Sequence, residues 1–220
     1  MRYFTLVVLA GHLLFSWQQA APKTTSETAG KTIKPADDKA QIQQLIRQVV
    51  NWGESAKSIN LLPLLTTNKS DYCIGMNLKM HKLNLEKLKA ANFFAAEFIE
   101  NYNQIILTLD QKIRRKEIEK WHANGELPPL NFASNVDPWT LCQDVPYDKP
   151  NPYDFIKTNV ITLDNHQGMA YWKWGKLDAN TDASWKAFTY RFRVVKENGK
   201  WKVAYLQGFD FKNSTSKAGL

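Results

Sequence analysis

Residues 185–211, WKAFTYRFRVVKENGKWKVAYLQGFDF, constrain the fold of this chain most, because they specify both a conformation and a register. Asn198-Gly199 suits a two-residue type I′ turn, which needs positive φ at both central positions. With that turn, Val194 faces Val203, Phe192 faces Tyr205, Tyr190 faces Gln207 and Phe188 faces Phe209. Successive strand residues point to opposite faces. Phe188, Tyr190, Phe192, Val194, Val203, Tyr205 and Phe209 therefore gather on one side, and Arg191, Arg193 and Lys202 on the other. The reading requires Phe192 and Tyr205 on the same side of the ribbon.

Two further strands are expected ahead of this hairpin, at 156–163 and 169–175, joined by a turn at 165–168 and followed by a polar loop through Asp182. Four strands with short connections make an antiparallel meander. Helices precede it. One starts at Asp37 or Asp38 and carries Ile42, Leu45, Ile46, Val49 and Val50 on one stripe. Another, capped by Asn84, runs through Leu88, Ala91, Ala95, Phe98, Tyr102, Ile105, Leu109 and Ile113, with a break near Asn92 and a stop at Asn124-Gly125. The expectation is an α+β domain over 37–211, N-terminal helices covering the apolar face of a curved antiparallel sheet, with a flexible tail at 212–220. Between helices and strands, residues 131–153 carry Pro138, Pro146, Pro150 and Pro152; a stretch this long without periodicity is usually functional or pinned.

The first 21 residues, MRYFTLVVLAGHLLFSWQQAA, pair one basic residue with an apolar run and end on small residues, the pattern of an export signal. The run is too short to span a bilayer, and no second one follows, so no stable membrane span is expected after cleavage. Residues 22–36 are polar and read as a disordered linker. An exported chain with two cysteines, Cys73 and Cys142, is a setting for pairing, and a bridge closing a loop of about 70 residues would stabilise by about 4 kcal/mol. Two separate buried thiols are the alternative. No metal site is expected: the cysteines are far apart and His81, His122 and His166 lack ligand spacing.

The formal charge of +8 is dispersed. Its densest run, 112–120, interleaves Glu117 and Glu119 and reads as a solvated helix face, not a nucleic-acid footprint.

The helices-then-sheet order, ending in Tyr190-Arg-Phe-Arg-Val-Val-Lys-Glu-Asn-Gly-Lys-Trp-Lys-Val203, resembles the cone-shaped fold of the nuclear transport factor 2-like superfamily. The segments Asp137-Pro-Trp-x-x-Cys-Gln-Asp144, Asn151-Pro-Tyr-Asp154, Trp172-Lys-Trp-Gly175 and Gly208-Phe-Asp-Phe211 are similar to secreted bacterial members of it. The resemblance implies a pocket between sheet and helices, on a scaffold that hosts ketosteroid isomerases, dehydratases and binding modules alike.

No constellation identifies a reaction. The apolar face offers Tyr190, Tyr205 and Gln207 as polar groups, but no carboxylate, and no catalytic residue is assigned. Carboxylates from elsewhere, such as Asp71, Asp144 or Asp154, are explained by turns and caps. Trp172 and Trp174 share a face with Lys173 opposite, and either form a stacking platform or fill the core. The expected function is an exported module binding a small ligand or protein partner through Tyr190, Tyr205, Gln207, Trp172 and Trp174, without a cofactor; a homodimer is compatible with the sequence. The alternatives are an isomerase or dehydratase whose acid and base come from loops, and a basic surface docking anionic envelope material.

Overall fold

The computed structural model describes residues 35–67 and 71–216; the expected export signal and nearly all of the expected linker lie outside them. Helix α1 (Pro35–Gly53) starts two residues ahead of the expected linker boundary, with Pro35 at its first position and Asp37 and Asp38 in the first turn, where negative charge meets the helix dipole. Ile42, Ile46, Val49 and Val50 are buried, as their spacing requires. A small antiparallel pair follows, β1 (Leu64–Thr66) and β2 (Cys73–Met76). Neither strand is long enough to show a period in the sequence.

Helix α2 (Leu78–Ala91) is capped by Asn77, whose side chain accepts from Met80 N. Asn84 is therefore not a cap. It is buried within α2, where its amide donates to Asn60 O at 2.6 Å and Tyr102 Oη at 3.2 Å. The expected break falls at Asn92, in the left-handed region at φ 58°, before α3 (Ala96–Arg114). That helix ends well before Asn124. The chain turns at Lys116 (φ 61°) and Cys73 N donates to Trp121 O at 3.1 Å, so the following segment lies along β2 instead of continuing the helix.

The C-terminal half holds β3 (Lys157–Leu163), β4 (Gln167–Lys173), the short α4 (Ala183–Ala187), β5 (Tyr190–Glu197), β6 (Lys200–Leu206) and α5 (Phe211–Ser214). The sheet order is β3-β4-β5-β6, all antiparallel, so the domain is α+β as expected. Trp185 lies on α4, outside the strands. The expected tail begins as helix: Asp210 caps α5, Ser214 is buried, and Lys112 Nζ donates to Thr215 O at 2.6 Å.

The hairpin turns at Asn198-Gly199 (φ 52° and 76°), and Val194 pairs with Val203. Beyond that pair the register differs from expectation, because a bulge at Ala204 adds one residue to β6. Phe192 faces Leu206 and Arg193 faces Tyr205, which puts Phe192 and Tyr205 on opposite sides of the ribbon. The bulge brings Leu206 inward and turns the hydroxyl-bearing Tyr205 outward to a half-buried position. Gln207 pairs with no strand residue across from Tyr190; it opens a 3-10 turn.

Helices α1 and α3 pack against the sheet, α1 on β3 and β6 and α3 on β6 and β2. The space between is filled by rings. Phe94, Phe98, Trp139, Trp172, Tyr190, Phe192 and Phe209 are all at most 2% exposed. Phe94 stacks on Phe98 at 4.7 Å, and Trp139 meets Phe209 at 4.6 Å. Among the described residues no helix is long and apolar enough to cross a membrane.

The expected bridge between Cys73 and Cys142 is absent: both are free thiols in different surroundings. Cys73, in β2, donates to Gly75 O, while Cys142 closes the loop from Asp137 and donates to Thr140 O at 3.3 Å. Backbone pairing pins each one, without a covalent link.

Candidate functional site

The five residues expected to bind a ligand fall in different settings. Tyr190 is fully buried; its hydroxyl donates to Pro138 O at 2.6 Å and accepts from Gly208 N at 3.0 Å. Trp172 and Trp174 meet edge to face at 4.9 Å inside the core. Gln207 Oε1 accepts from Arg191 N, and Tyr205 stands on the other face of the sheet. The fold brings Tyr190, Trp172 and Trp174 together as packing and leaves Tyr205 and Gln207 apart from them. Asp71 accepts from the Asn124 amide, and Asp144 and Asp154 are exposed.

The four segments singled out in the sequence do converge. Asp137 Oδ1 accepts from Trp139 N at 2.7 Å, and its carbonyl accepts from Leu141 N at 2.6 Å, with Leu141 at φ 53°. This compact loop is held from below by Tyr190 and by the backbone of Gly208, where a Cβ would come within 2.0 Å of Pro138 O. Asn151 caps the 3-10 turn over Pro152–Phe155 by accepting from Tyr153 N. That turn rests on Gly175, where a Cβ would meet Phe155 O at 1.9 Å, and places the Tyr153 ring 5.4 Å from Trp174.

The end of α1 completes the group. A Cβ on Gly53 would meet the Trp139 ring at 2.6 Å, so glycine lets the helix end close onto the indole and sets Glu54 beside the loop. Glu54 as a residue is exposed, yet its carboxyl is crowded, and burial together with the charge of Asp137 raises it to about 7. Asp137 is also raised, by burial. Tyr153 favours the Glu54 carboxylate by hydrogen bonding, while its own hydroxyl is raised by burial and by Glu54. Thr140 is 1% exposed, and its hydroxyl faces Glu54 and Tyr153 without a hydrogen bond of normal geometry. Burial and the two carboxylates push the Cys142 thiol up to about 12, so it is protonated at neutral pH.

Among the described residues no Lys or Arg pairs with Glu54 or Asp137, although four ion pairs form elsewhere. The cluster therefore offers carboxylate acceptors, hydroxyls and a neutral thiol, with no resident cation. It does not build a metal site, and no group of three or more ligating side chains occurs among the described residues. Asp137 and Tyr153 lie in segments singled out in the sequence, whereas nothing in the sequence marked Glu54. Comparison of the chain with protein-family models, curated proteins and solved structures found no significant match.

Proposed function

We propose that the chain is an exported domain of the cone-shaped nuclear transport factor 2-like type that acts as a binding module, recognising its ligand at Glu54, Asp137, Thr140 and Tyr153. One observation carries this reading: two neighbouring carboxyls, neither paired with a lysine or arginine among the described residues, stand beside the hydroxyls of Thr140 and Tyr153. Two neighbouring carboxyls repel each other when both are ionised, and a ligand that donates to them would relieve that repulsion. The interior between helices and sheet, filled with rings, supplies packing for the loop that presents the cluster.

Screening small-molecule mixtures against the labelled protein by amide chemical shift tests the reading. Shifts should concentrate at residues 53–54, 137–142 and 153, and Tyr153→Phe should weaken them. Ligands whose shifts map elsewhere and are unchanged in that variant would refute it.

The enzyme alternative is favoured by one feature, a carboxyl near neutrality beside a tyrosine hydroxyl. Glu54 would accept a proton and Tyr153 would donate a hydrogen bond to the developing charge, as isomerase or dehydratase chemistry requires. Turnover that follows a pH midpoint near 7 and is lost in Glu54→Gln would select it over binding alone.

A further inference from the structure

Helix α2 shares no residue with the candidate site, and its outer face combines apolar and basic side chains. His81, Asn84 and Leu88 are its buried residues and define the side turned to the core. Helical spacing puts Lys79, Lys82, Leu83 and Glu86 on the opposite side, and all four are exposed. Of the large apolar side chains exposed among the described residues, Leu78, Met80 and Leu83, at 44, 40 and 46%, belong to this one helix. Single exposures are ordinary, whereas three so close together make a patch. Leu83 has Lys79, Met80, Glu86 and Lys87 as its neighbours at three and four residues, so the patch is rimmed by charge.

Charge and residue type select the partner. The helix carries Lys79, Lys82, Lys87 and Lys89 against Glu86 alone, and none of the four ion pairs among the described residues involves any of them. An acidic surface is the complement. Interfaces between proteins favour arginine and disfavour lysine, and α2 has no arginine. At a bilayer, by contrast, lysine stems lie along apolar groups while the ammonium heads stay among the headgroups. We propose that α2 docks the protein on an anionic phospholipid bilayer, with Met80 and Leu83 entering the headgroup boundary and Lys79 and Lys82 among the lipid phosphates. The contact is shallow and reversible, and it stands or falls independently of the Glu54 cluster.

The test titrates the full-length chain with vesicles of phosphatidylcholine alone and of phosphatidylcholine mixed with phosphatidylglycerol, read by cosedimentation. The apolar run near the N-terminus is common to every variant, so the readout is the difference between the two vesicles. Binding should favour the anionic vesicles, and the preference should fade as salt rises from about 0.1 to about 0.5 M. Lys79→Gln with Lys82→Gln should weaken anionic binding about thirtyfold, and Leu83→Ser about tenfold. These side chains are exposed, so the variants should keep the parent Tm. Lys173→Gln with Arg191→Gln removes the same charge from the sheet and should weaken binding by no more than about threefold. Equal binding to both vesicles, or equal losses in the two double variants, overturns the proposal. Capture of soluble polyglutamate without anionic vesicles would make the partner an acidic polypeptide and overturns the lipid assignment.

Discussion

Helix α1 carries a carboxyl near each end, and their surroundings set them opposite chemistry. Asp38, in the first turn, is 6% exposed; it accepts from Lys196 Nζ at 2.8 and 3.1 Å and from Trp201 Nε1 at 2.8 Å. Burial alone would raise this carboxyl, but the hydrogen bonds from Lys196 and Trp201 and the lysine charge outweigh it and hold it below its ordinary value. Glu54, just past the other end, is raised by burial and then further by Asp137, with only hydroxyls to offset it. Both carboxyls are crowded, and the deciding difference is a cation. The closed arrangement ties the start of α1 to the hairpin, a role in the fold. The open one leaves acceptors with no lysine or arginine paired to them among the described residues.

The frame beneath the open cluster is aromatic, so removing it should have the largest effect. Trp139→Ala takes out a ring that contacts Trp52, Phe94, Phe98 and Phe209, and should destabilise by about 3–5 kcal/mol in denaturant unfolding. A loss below 1 kcal/mol would mean that the loop is held by its own polar contacts.

Asp38→Ala leaves Lys196 and the Trp201 N–H without their acceptor and should cost about 2–4 kcal/mol at pH 7. The sign with pH follows from the lowered carboxyl. Its stabilisation is complete above the unfolded-state value and lost as pH falls through the folded one, so the gap between variant and parent should narrow below about pH 4. A gap independent of pH would assign the loss to packing.

Tyr190→Phe removes the hydroxyl that joins Pro138 O to Gly208 N, and should cost about 1–3 kcal/mol by leaving two buried backbone groups unpaired. It should also loosen the loop bearing Asp137, seen as faster amide exchange at 137–142. Unchanged exchange would separate that loop from the sheet.

The smallest effect sharpens the contrast most. Because the folded-state carboxyl of Glu54 is raised, its ionisation works against the fold as pH rises through about 7. Glu54→Gln should therefore raise Tm by about 2 °C at pH 8 and leave it unchanged at pH 5. A drop at pH 8 would show that the carboxylate already has a stabilising partner.

Much of the fold was legible because its signals are local. Asn198-Gly199 turns the hairpin, Asn92 breaks the helices, and the stripe from Ile42 to Val50 is buried. The misses depend on contacts distant in sequence. The bulge at Ala204 adjoins Val203, whose N–H donates to Phe93 O and whose carbonyl accepts from Ala95 N, pairing that no periodicity announces. The short β1 and β2 define each other. Cys73 and Cys142, an obvious pair by count, are set apart by the elements that hold them. The candidate site was half visible: its segments stood out for their Pro, Trp and Asn content, but their meeting point depends on glycines at 53, 175 and 208 that admit close backbone approach. Glu54 gains its character wholly from residues about eighty to a hundred positions away.

The most direct measurement follows the side-chain carboxyl carbons of Glu54 and Asp38 by NMR as pH is varied in the ligand-free protein. The expected result is a Glu54 midpoint at about 7, with Asp38 titrating below its ordinary 3.8. A Glu54 midpoint near the ordinary 4.5 would contradict the open cluster and the binding site built on it.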